Sequence, residues 1–110
     1  MTTLDLSQKY SLLKNEIWHC IMTVSDCIQN EDRKNYDVRE HLSFQLKDLH
    51  HLLAKVTKTL DPLFLKRTAE QRYLAAIEKT SSKSLIRYET KIDTLLSFFQ
   101  KQLQTIYRHP

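Results

Sequence analysis

The chain has 110 residues, a formal net charge of +4, two cysteines, two prolines and no glycine. Its length suits one domain with a core of its own, and a hydrophobic fraction of 41% is that of a folded protein. The missing glycine excludes glycine-rich phosphate loops and argues against the many tight turns of a β fold, which leaves helices.

The N-terminal stretch has neither a basic start nor an apolar h-region, and no apolar run reaches the roughly 20 residues of a membrane span. A cytoplasmic location is therefore expected. From there, Leu6, Leu13, Cys20 and Cys27 recur every seven residues, as do Tyr10, Ile17 and Val24, with Ile21 and Ile28 widening the face. That periodicity predicts an amphipathic helix over about 4–29, starting near Thr3 or Asp5. Cys20 and Cys27 lie about 10 Å apart along such a helix, too far for a disulfide between them. The polar run 29–35 reads as a loop.

A second helix is predicted over 36–60, with Asn35 or Asp37 as N-cap and Leu42, Leu49 and Val56 alternating with Leu46, Leu53 and Leu60. Asp61 followed by Pro62 suits an N-cap and first helical residue, so a third helix is predicted over 62–79; a kink in one continuous helix is the competing reading. Its face is irregular: Leu63, Tyr73, Leu74 and Ile77 share it with Arg67 and Glu70. After the cap cluster 80–84, Leu85, Ile92, Phe99 and Ile106 define a fourth helix over 83–107, broadened by Tyr88, Leu95, Leu96 and Leu103.

Four amphipathic segments with short polar connections predict an all-α, up-down antiparallel four-helix bundle over 1–110. The alternative is a three-helix bundle with a helix broken at Pro62.

Bundles of this kind can hold metals through carboxylate-x-x-His pairs, and Glu16 with His19 and Asp48 with His51 have that spacing. Both histidines point away from the apolar stripes, so no metal site is expected. His41 with Lys47 and His51 with Lys55 have the look of phosphotransfer histidines, yet the glycines that accompany such histidines are missing. No local motif marks a serine or cysteine nucleophile. The chain is expected to be no enzyme and to need no cofactor.

Charge is uneven. Residues 1–54 carry six Lys/Arg against eight Asp/Glu, and residues 55–110 eleven against five, giving −2 and +6. Lys66, Arg67, Arg72, Lys79, Lys83 and Arg87 are the candidates for contact with phosphates or another anionic surface. A second signal is bulky apolar residues off the stripes: Trp18, Met22 and Leu4 on the first helix, Phe44 on the second and Phe98 on the fourth. Such residues point either to wider burial inside the bundle or to a contact surface with another chain; aromatics and methionine are enriched where proteins touch, and on that second reading Trp18, Met22, Phe44 and Phe98 are the candidate partner-binding residues.

The segment Tyr88-Glu89-Thr90-Lys91-Ile92 resembles part of a helix near the end of bacterial primosomal replication proteins, a likeness of five residues. The architecture also resembles small export chaperones and adaptors at the level of fold class. The expected function is a helical protein-protein interaction module, an adaptor, chaperone or oligomer-forming accessory protein. Nucleic-acid binding by the basic second half is the alternative.

Overall fold

The computed structural model describes residues 5–107, which form three α-helices: α1 (Leu6–Asn30), α2 (Tyr36–Ala76) and α3 (Lys83–Ile106). Leu4, the expected start of α1 at residue 4 and the ends of the 1–110 domain lie outside the described residues. Asp5 caps α1: its carboxylate accepts the Ser7 N–H at 2.7 Å and the Gln8 N–H, while the Gln8 side chain reaches back to the Asp5 N–H to complete a capping box.

The four-helix expectation is corrected at Pro62, which sits inside α2 and does not end it. Three helices form, as in the alternative, but the long one is unbroken. A mid-helix proline removes one N–H donor and crowds the carbonyl four residues back, here that of Lys58. Both Lys58 and Pro62 are exposed, so water can take the orphaned carbonyl. On the opposite side Leu60 and Leu63 are both buried in the common core, and a break between them would undo that packing. Asp61 is not an N-cap; its carboxylate accepts the Tyr10 hydroxyl at 2.5 Å.

Uninterrupted, α2 has 41 residues, about 60 Å at 1.5 Å per residue, and it sets the 65 Å long axis of the molecule. Tyr10 with Asp61 and Trp18 with His50 show α1 running antiparallel to α2. Gln45 with Ile106 and Glu70 with Ser82 show the same of α3. Hence α1 and α3 run parallel, joined by Lys9–Asp93 and Glu16–Gln100. The long helix packs extensively against both, and they touch each other sparingly.

The core joins Leu13, Ile17 and Val24 of α1, Leu49, Val56 and Leu60 of α2, and Ile92, Phe99 and Leu103 of α3, all nearly or wholly inaccessible. Each such aliphatic side chain contributes about 1.5–3 kcal/mol on burial. Beyond the start of α1, the end of α2 and the start of α3 continue as a two-helix tip, with Leu74 and Leu85 buried apart from the main core.

The connection at that tip is made without glycine. Lys79 N–H bonds the Leu74 carbonyl and Glu78 N–H that of Ala75, the Schellman pattern, and Glu78 takes the left-handed position at φ 57°. Ser82 then caps α3, accepting the Leu85 N–H at 3.1 Å and donating to Glu70 at 2.8 Å.

Candidate interaction surfaces

Polar residues that face inward are tied to the fold. Tyr10 is buried, its ring stacked on Phe64 at 4.9 Å with the Lys14 ammonium 4.1 Å from its centroid on α1. Burial first, and then the Asp61 carboxylate that accepts its hydroxyl, push its phenol well above the usual value. Burial, with Glu16 nearby, likewise pushes the Cys20 thiol up. Both groups stay protonated at neutral pH, so neither supplies a thiolate or a phenolate there.

The intrusion of Arg67 and Glu70 into the apolar face of α2 has a structural cause. Arg67 turns towards the start of α1, with its guanidinium 3.8 Å from the Asp5 carboxylate, 3.5 Å from the Ser7 hydroxyl and 5.8 Å from the Phe64 ring. Glu70 accepts the Ser82 hydroxyl. Of the six cations read as an anion-binding set, Arg67 is thus engaged within the chain.

Lys66, Arg72, Lys79, Lys83 and Arg87 are all exposed, but they do not share one side. Lys55 and Gln102 line a shallow hollow between α2 and α3, with Asp48, His51, Leu52 and Ile106. Three turns further along α2, Lys66 repeats the direction of Lys55; three turns back along α3, Lys91 repeats that of Gln102, with Arg87 a turn before it. Lys55, Lys66, Arg87 and Lys91 therefore line one α2–α3 side. Arg72 lies on the other side of α2, Lys83 on the back of α3 and Lys79 in the connection.

Trp18, Met22, Phe44 and Phe98 are 50%, 63%, 58% and 47% exposed, which places all four at the surface. They fall on two sides of the molecule. Trp18 lies edge-on to His50, ring centroids 6.4 Å apart, so it and Met22 one turn on occupy the outer back of α1 beside α2. Phe98, one turn before Gln102, and Phe44, two turns before His51, belong to the α2–α3 side. Phe98 thus joins the basic series there, with Asp48 at one end of it and Glu70, a turn after Lys66, at the other. Lys55 and Lys91, the ends of the basic stretch in the sequence, fall on this side with Lys66 and Arg87; charge alone does not reveal which cations the α2–α3 pairing aligns.

Between α1 and α3 runs an open groove of about 610 Å³, floored by Leu13 and Leu96 and edged by Lys9, Leu12, Asn15, Glu16, His19, Ser97 and Gln100. Lys9, at its edge, pairs with Asp93 of α3 at 3.3 Å, an exposed contact that contributes little. His19 and His51 are exposed, and among the described residues no three His, Cys, Asp or Glu side chains converge as a metal site would require.

The class that the described residues define is all-α, three helices with a long central member, two outer helices parallel to each other, and apolar residues left at two separate surfaces. No helix of the described residues is long and apolar enough to cross a membrane. The chain matches no protein-family model, no curated protein and no solved structure.

Proposed function

We propose that the chain is a non-enzymatic helical interaction module, an adaptor or chaperone-type accessory protein, whose main contact for another protein is the back of α1. The observation that carries this is the exposure of Trp18 and Met22 side by side on that surface. A partner covering the free half of the Trp18 ring would remove on the order of 100 Å² from water, about 2–3 kcal/mol. The test is affinity capture from the cells that express the protein, comparing wild type with Trp18→Ala and Phe98→Ala. Trp18→Ala should lower the captured amount about tenfold with far-UV circular dichroism unchanged. Undiminished capture ends this reading, and an unfolded variant reassigns Trp18 to the core.

A second reading, nucleic-acid binding, is favoured by the alignment of Lys55, Lys66, Arg87 and Lys91 with Phe98 on the α2–α3 side. Cations that track a backbone and an aromatic that stacks on bases are what a single strand needs. Binding to a single-stranded oligonucleotide should fall steeply with salt, and Lys66→Ala with Arg87→Ala should reduce the slope of log K against log salt by about 1.4. No binding at about 50 mM salt ends it.

A further inference from the structure

Six residues of α1 turn away from the bundle at alternating steps of four and three: Ser11, Asn15, Trp18, Met22, Ser25 and Gln29. That is the spacing of a coiled-coil seam. None of the six is charged, in a chain of which 27% of residues are, and all but the partly covered Ser25 are exposed. The two large apolar side chains occupy the middle, and two uncharged polar residues follow on either side. The order reads the same chemically from both ends. Turned about the level of Cys20, the stripe sets Trp18 against Met22, Asn15 against Ser25 and Ser11 against Gln29.

We propose that this stripe seats the same stripe of a second copy of the chain, running antiparallel, to form a two-fold dimer through α1. The proposal rests on the reading of Trp18 and Met22 as a contact surface and names its occupant. A two-fold contact joins a patch to itself, so the patch must be complementary to its own shape and charge. The α2–α3 side meets that condition less well, since Lys55, Lys66, Arg87 and Lys91 outnumber the carboxylates there, Asp48 and Glu70, in a chain already at +4. The back of α1 meets it, because no charge opposes a charge. Antiparallel pairing also sets the helix macrodipoles head to tail, where parallel pairing aligns them unfavourably. The polar pairs at the ends, Asn15 with Ser25 and Ser11 with Gln29, can exchange side-chain hydrogen bonds and fix the register.

The dimer is weak. Trp18 and Met22 each have on the order of 100 Å² left to cover, and four such side chains fall well short of the roughly 1,600 Å² of a standard interface. Association belongs in the high-micromolar range. Sedimentation equilibrium of the full chain from micromolar to millimolar concentration should show the mass rising from 13.1 kDa to twice that value. Trp18→Ala and Met22→Glu should each raise the dissociation constant about tenfold or more with circular dichroism unchanged.

The register has its own test. Asn15→Cys and Ser25→Cys, each made with Cys27→Ser, are mixed and oxidised; the antiparallel dimer yields the mixed 15-to-25 disulfide. A chain that stays at 13.1 kDa at millimolar concentration overturns the proposal. So does a dimer that Met22→Glu leaves intact, or one that joins position 15 to position 15. A monomer that still captures another protein through Trp18 ends the second-copy occupant alone and leaves the contact surface standing.

Discussion

Pro62→Ala tests the central element of the fold. In an exposed helix interior, proline is about 3 kcal/mol less favourable than alanine, from the lost N–H and the clash with the carbonyl four residues back. Two effects reduce the gain here. Lys58 and Pro62 are both exposed, so water can reach the orphaned carbonyl, and proline stabilises the folded state by about 0.4–1 kcal/mol through restricting the unfolded chain. A net gain of about 1–2 kcal/mol follows. For a chain of this length that is about 4 °C in Tm per kcal/mol, read by thermal and urea unfolding followed at 222 nm. If a helix instead began at Asp61 and Pro62, the proline would occupy its favoured first position, and alanine there would be neutral or destabilising. That outcome would refute a continuous α2.

Three further substitutions probe the packing around it. Burial and Asp61 hold the Tyr10 phenol protonated above its ordinary value of about 10. The folded state keeps a proton that the unfolded chain loses, so its contribution is complete below about pH 10 and is lost above it, at about 1.4 kcal/mol per pH unit. Tyr10→Phe should cost about 1 kcal/mol near neutral pH and flatten that alkaline slope in urea titrations; an unchanged slope counts against the Tyr10–Asp61 pair. Glu78→Gly should raise stability by about 1 kcal/mol, because glycine takes the left-handed position without the Cβ penalty, and a fall in the urea midpoint would contradict that turn. Ser82→Ala should lower stability by about 1 kcal/mol through loss of the α3 cap, and an unchanged midpoint would show the cap to be dispensable.

The heptad spacing of α1 and α3 was legible because each buries one stripe against the same neighbour: Leu13, Cys20, Ile92, Phe99 and Leu103 are all in the core. It failed at Cys27, which shares that stripe and is exposed. The 84-residue offset of Lys9–Asp93 and Glu16–Gln100 brings the end of α3 level with Met22, so Cys27 has passed the helix it would have packed on. At Pro62 the local signal, an Asx-Pro pair, was outweighed by packing on the opposite side of the helix, which local sequence does not display. The irregular face near Arg67 and Glu70 was visible, but its cause was not, because their partners Asp5 and Ser82 lie far off or across a turn. Off-stripe position left wider burial in the bundle and a surface both open for Trp18, Met22, Phe44 and Phe98, and the structure exposes all four. Their division between two sides depended on how α1 and α3 dock on α2.

The most direct measurement is site-specific photo-crosslinking in the cells that express the protein, with benzoylphenylalanine placed at Met22 and, for comparison, at exposed Lys101 on the back of α3. An interaction surface on α1 predicts a discrete adduct from position 22, with a second copy or another chain, that Trp18→Ala abolishes, and none from position 101. No adduct at position 22, or equal labelling at both positions, would contradict the account.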